Sequence, residues 1–231
     1  MLDMIVGLLL GLQRNSFPGR VTAMSDSHSS ESDEANAPVH IEPYDAAWPE
    51  RFATEASVIG QTIGPWITGG IHHVGSTAVP GLAAKPVIDI MVGVADLDLS
   101  RPCIELLKPL DYCYWPYLAE VMHWFCKPRP SHRTHHLHLV PTGSPRYLNV
   151  LAFRDYLRAH PDARADYEAL KRELADRYPH DREAYTEGKT DLIGKLTEAA
   201  RAWATTRDMK SGKPDSTTNG RPDPPVNRCV L

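Results

Sequence analysis

The chain has 231 residues, 42% of them hydrophobic, with a formal net charge of -4 and a pI near 6.2. That is enough sequence for one medium domain with tails, and the mild acidity excludes a global electrostatic pull toward nucleic acid or an anionic membrane. Four scattered cysteines (Cys103, Cys113, Cys126 and Cys229) form no C-x-x-C pair, so they read as the reduced thiols of a cytoplasmic protein.

The opening "MLDMIVGLLLGLQR" is apolar but shorter than the ~20 residues a bilayer requires. It lacks the positive start and cleavage pattern of a secretory signal, and reads as sequence upstream of a truer start at Met24. The closing "RCVL" leaves only two residues after Cys229 and is not a prenylation box. Residues 25–37 and 207–231 are polar and aperiodic. The expected division is therefore a disordered or mis-started extension over 1–37, a folded body over 38–206 and a disordered tail over 207–231.

Along the body, "VHIEPY" predicts a short strand, and "AAWPERFATEASVIGQTIG" a helix with Trp48, Phe52, Ala56, Ile59 and Ile63 on one side. "IHHVG" and "VIDIMVGV" are β-branched, apolar runs and predict strands. "LSRPCIELLKPL" predicts a helix with Ser100 as N-cap. "EVMHWFCKP" and "THHLHLVP" predict two further strands, and from Pro145 onward the pattern is helical, with Glu168 and Arg172 spaced for a surface pair. The fold class is α/β (α+β), a mixed sheet with flanking helices and a helical C-terminal third.

Three features point to chemistry. Asp89 interrupts an apolar strand, where an ionised carboxylate is costly unless it is paired or holds a metal. Strand alternation puts Val87 and Met91 on its face and Ile88 and Ile90 on the other. Gly75-Ser76 follows a strand, so its backbone N–H groups and hydroxyl are suited to a phosphate, although an ordinary turn has the same composition. In "SHRTHHLHLV", His136 and His138 project from one strand face, a pattern suited to a metal or a phosphate, and His135 from the other. Each also has a plain structural reading: a loop-capping Asp, a turn, a satisfied core histidine. Gly188-Lys189-Thr190 looks like the end of a phosphate-cradling loop, but Glu183 stands where the first glycine belongs and no strand precedes it.

The turn followed by an acid on a strand is similar to the signature of the nucleotidyltransferase superfamily. More narrowly, "IEPYDAAWPERF", "HVGSTAVPGLAAKPVIDI", "RTHHLHLV", "LAFRDYLRAHP", "YEALKRELA" and "DREAYTEGKTDLI" resemble the GrpB family, bacterial and fungal proteins also found fused to dephospho-CoA kinase. The resemblance spans almost all of 38–206 and implies a nucleotidyltransferase-like sheet. It also implies a site in which Gly75, Ser76 and Thr77 hold phosphate and Asp89 holds a divalent metal. Lys85 and Arg133 would then stabilise charge.

The sequence departs from the superfamily pattern at Met91, where active members carry a second acid; a thioether is a poor ligand for Mg²⁺. His136 and His138 are the candidate replacement ligands, and Lys85, Arg133 and Arg154 the groups that would neutralise a phosphate without metal. The expected ligand is a small molecule or nucleotide, with nucleoside triphosphate and a divalent ion as cofactors and neither nucleic acid nor membrane as partner. Three functions follow: nucleotide or phosphoryl transfer to an acceptor, non-catalytic binding of a nucleotide or CoA precursor (or folding assistance), and a His/Asp metal enzyme of another class.

Overall fold

A computed structural model describes residues 39–211. The expected N-terminal extension and most of the tail lie outside them. Helix α1 (Trp48–Ile63) leads into β1 (Ile67–Val74), a loop, and β2 (Ile88–Val94). Then come the short α2 (Cys103–Leu106), β3 (Cys113–Trp115), β4 (His123–Arg129) and β5 (His132–Pro141). Four helices complete the chain: α3 (Pro145–Ala159), α4 (Pro161–Arg177), α5 (Arg182–Glu187) and α6 (Thr190–Ser211).

The five strands form one mixed sheet in the order β1-β2-β5-β4-β3. Only β2 and β5 run parallel, at its centre. Their register sets Asp89 beside His136 and Met91 beside His138.

Alternation along β2 and β5 separates two layers. Ile88, Ile90, Val92, Leu137 and Leu139 pack against Trp48, Ile59 and Ile63 of α1 and Cys103 beside it. On the other face Val74, Met91, Trp124, Cys126 and Val140 form a second core with Tyr147 of α3. The helical third packs around the loop after β1, with Val79 and Leu82 of the loop buried against Leu157, Tyr167, Ile193 and Leu196.

Three expected elements differ. "VHIEPY" does not form a strand; its pairing with the sheet loop is a single bridge, Glu42 to Ala84. The helix expected from Ser100 shrinks to four residues and a 3₁₀ turn at Lys108–Leu110. The Ser100 hydroxyl donates to the Leu97 carbonyl instead of capping, and Pro109, with no N–H to donate, breaks the hydrogen-bond ladder after so short a helix. The last helix runs to Ser211, beyond the expected end of the body at 206. Among the described residues, no helix is long and apolar enough to cross a membrane.

Candidate functional site

The loop leaving β1 turns at Gly75, whose φ of 70° and ψ of -171° suit glycine almost alone. Space demands the same residue: a Cβ at Gly75 would sit 2.2 Å from Asp89 Oδ2. The turn is thus pressed against the carboxylate that the sequence placed fourteen residues after Gly75. Ser76–Ala78 make a single 3₁₀ turn, and Thr77 is buried with its hydroxyl 3.0 Å from His73 Nε2.

Helical cations hold this loop in place. Arg154 donates to the His73 carbonyl at 3.0 Å, Arg158 to Ala78 at 2.7 and 2.9 Å, and Arg164 to Pro80 at 3.0 Å. Lys171 donates to the Ala83 carbonyl, and the Ala83 amide donates to Glu168 at 3.0 Å.

Loop, sheet and helices line a half-open cavity of about 210 Å³. Its basic lining residues are Lys85, Arg146, Arg154, Lys171 and Lys189, against one carboxylate, Asp89. His136 donates from Nδ1 to Asp89 Oδ1 at 2.9 Å. Burial alone would raise the Asp89 pKa, but the hydrogen bond from His136 and the nearby positive charge of Lys85 outweigh it, so its pKa lies below the usual carboxylate range. His138 is buried, and its pKa falls to about 3 through burial and then the nearby Arg146. It is a neutral imidazole accepting from Arg146 Nη2 at 3.4 Å.

Arg154 is ion-paired with Asp155 at 2.8 Å and Lys171 is hydrogen-bonded, but the other basic groups are poorly compensated. Arg146 is 4% exposed, and its Nε and Nη1 are buried with no hydrogen-bond partner. Lys189 is 6% exposed; its Nζ lies 3.9 Å over the Tyr185 ring, and no ion pair involves it among the described residues. Lys85 stands 5.2 Å from the same ring. Lys171 Nζ reaches Ser76 Oγ at 3.2 Å and lies 4.9 Å over Tyr167. Burial and neighbouring cations lower Lys171 to about 7 and Lys85 to about 8, and push Lys189 well down.

Of the residues singled out in the sequence, Gly75, Ser76, Thr77, Lys85, Asp89, His136, His138 and Arg154 all line this cavity. Arg133 does not: its guanidinium sits over Trp124 at 5.5 Å and donates to the Pro130 carbonyl.

The side chains expected to hold a metal, Asp89, His136 and His138, sit together, with His136 Nε2 buried and unpartnered. His136 Nδ1 is engaged by Asp89, His138 Nδ1 faces a guanidinium, and the surrounding field is cationic. Among the described residues, no three His, Cys, Asp or Glu side chains are arranged to hold a metal. Met91, the position two residues after Asp89, is 1% exposed and packs in the second core.

Arg146, Lys171 and Lys189 escaped the sequence reading. Lys171 and Arg146 did carry a signal, as basic residues on apolar helix stripes: Lys171 between Tyr167 and Leu174, Arg146 four residues before Val150. Lys189 belongs to the rejected Gly-Lys-Thr. No strand precedes it, as the sequence indicated, yet its ammonium reaches the cavity from the turn between α5 and α6.

Residues 38–199 match the family described as GrpB protein. The chain belongs to the GrpB family. It is 42% identical over 175 residues to a UPF0157 protein of Pseudomonas aeruginosa, covering 73% of this chain and 69% of that one. The crystal structure of the conserved protein GrpB from Enterococcus faecalis superimposes with a TM-score of 0.66 at 32% identity, covering 71% of this chain and 99% of that one. A dephospho-CoA kinase of Mycolicibacterium paratuberculosis is 31% identical over 204 residues, which is 76% of this chain but 49% of that protein. The family's mixed sheet with a helical C-terminal region is the fold of this chain.

Proposed function

We propose that this GrpB-family chain binds a small phosphate-bearing molecule in the cavity between the Gly75 turn and the C-terminal helices. The observation that carries the reading is the charge balance of the lining: Lys85, Arg146, Lys171 and Lys189, with Arg154 already ion-paired to Asp155, against one acid already hydrogen-bonded by His136. A phosphate dianion would satisfy donors that are otherwise buried without partners, above all Arg146 Nε and Nη1. Ser76, with its hydroxyl beside Lys171, and the backbone of the Gly75 turn supply neutral donors.

Nucleoside triphosphates and CoA precursors are the first ligands to try, the latter because a dephospho-CoA kinase carries a similar segment. Binding is favoured over metal-assisted nucleotide transfer. Two-metal transfer needs carboxylates that hold both ions, and the position two residues after Asp89 is the core residue Met91.

The test is thermal shift and calorimetry with inorganic phosphate, pyrophosphate, ATP and dephospho-CoA, on the wild type and Lys189→Met. At least one ligand is expected to raise the melting temperature by mass action. Lys189→Met is expected to stabilise the ligand-free protein, since it removes a buried amine whose charged form is disfavoured there, and to weaken binding about tenfold or more. A purely structural Lys189 would not move these two readouts in opposite directions. Failure of every phosphate-bearing ligand to bind would overturn the reading.

A further inference from the structure

The cavity has a second wall. Val150, Phe153 and Leu157 recur at helical spacing along one face of α3, and Ile193 of α6 and Val74 and Val87 of the sheet side join them. These apolar groups border the same space as Lys85, Lys171 and Lys189. A bare phosphate ion would satisfy the basic wall and leave the apolar wall wet. An occupant that fills both must be two-sided.

Size narrows the class. A cavity of about 150 Å³ accommodates one benzene ring, so the half-open 210 Å³ here buries a ring-sized or short branched apolar body beside its anionic head, and anything larger reaches out through the open side. The polar lining narrows it further. Among the described residues that line the cavity there is no Asn, Gln or Glu, and Asp89 is engaged by His136. The amino and carbonyl edges of a nucleobase would have to be matched by hydroxyls and cations alone, and desolvating unpaired edges is costly.

Resting on the phosphate-binding reading above, we infer that the ligand of this cavity is a phosphate monoester of a compact alkyl or aryl group, its head among Arg146, Lys171 and Lys189 and its body against Val150, Phe153 and Leu157.

The experiment is calorimetric titration of the full chain with inorganic phosphate, methyl, ethyl and butyl phosphate, phenyl phosphate and ATP, with Val150→Thr as the variant. Affinity is expected to rise about fourfold per methylene, the equivalent of ~0.8 kcal/mol for each buried CH₂, until the cavity is full. Phenyl phosphate is expected to bind more tightly than ATP. Val150→Thr is expected to flatten this gradient, because it keeps the shape of the wall and makes it polar. Inorganic phosphate binding as well as butyl or phenyl phosphate would overturn the inference and leave the phosphate-binding reading standing. ATP binding most tightly of all would do the same. If no member of the series binds, the underlying reading falls and the inference with it.

Discussion

Asp89 owes its position to two neighbours of opposite kinds. His136 anchors one carboxylate oxygen, and Gly75 leaves room for the other. Gly75→Ala forces both a backbone conformation that is nearly glycine-only and a Cβ into the carboxylate. Conformation alone costs ~1–3 kcal/mol, so a loss of more than ~2 kcal/mol is expected in urea unfolding, together with weaker ligand binding as the turn moves off Asp89. Met91 shares the sheet face of Asp89 but serves packing, with Val74 and Trp124 in the same core. Met91→Asp places a carboxylate in that apolar core, and is expected to cost ~3–5 kcal/mol, the scale of a poorly compensated buried charge. Mg²⁺ affinity measured by calorimetry is expected to stay as in wild type. A folded variant with tighter Mg²⁺ binding would restore the metal reading.

The helical third acts on the site through the loop after β1. Arg158 shows the coupling at its simplest: two of its nitrogens hold the carbonyl of Ala78, a residue 4% exposed. Arg158→Met leaves that carbonyl buried without its donor, a penalty of ~1–3 kcal/mol. Hydrogen exchange is expected to speed up over residues 75–85 while β2 and β5 keep their protection; uniform acceleration would mean the clamp is not local. The central strands were readable from the sequence because alternation around Asp89 and His136 imposes one register and one face on each. Strand β3 was not, since three residues carry too little pattern to distinguish an edge strand from a loop. The same limit explains the site. Gly75, Ser76, Asp89, His136 and His138 stand out because each breaks a local pattern. The part Lys171 and Lys189 play depends on how α4 and the α5–α6 turn fold back over the sheet, and no local spacing encodes that.

At the scale of the whole molecule, the net charge of -4 conceals a cationic interior site, and pH separates the two. Burial lowers Lys171 to about 7 and Lys85 to about 8, each from an ordinary value of 10.5. The unfolded chain therefore binds more protons than the folded one between these lowered values and 10.5. Stability rises with pH wherever the unfolded state holds the extra protons. The burden of these two lysines is full below pH 7 and is relieved as pH climbs from about 7 toward 10.5. The lowered pKa values of His73, to about 4, and His138, to about 3, act in the same direction but lower down, and are spent by about pH 6.5. The empty protein is thus expected to gain stability from pH 6.5 to 9, in contrast to a domain whose charges are all paired at the surface. Anion binding runs the other way, because a bound dianion favours the protonated lysines and draws protons in. Sulfate, a dianion throughout this range, isolates the protein's titration from that of the ligand. Its affinity is expected to fall by up to about tenfold per pH unit for each lysine that loses its proton between pH 7 and 9. Calorimetry in buffers of different ionisation enthalpy at pH 8 is expected to register proton uptake on binding. Binding without proton uptake, or sulfate affinity that is flat across this window, would mean that Lys85 and Lys171 do not face the anion.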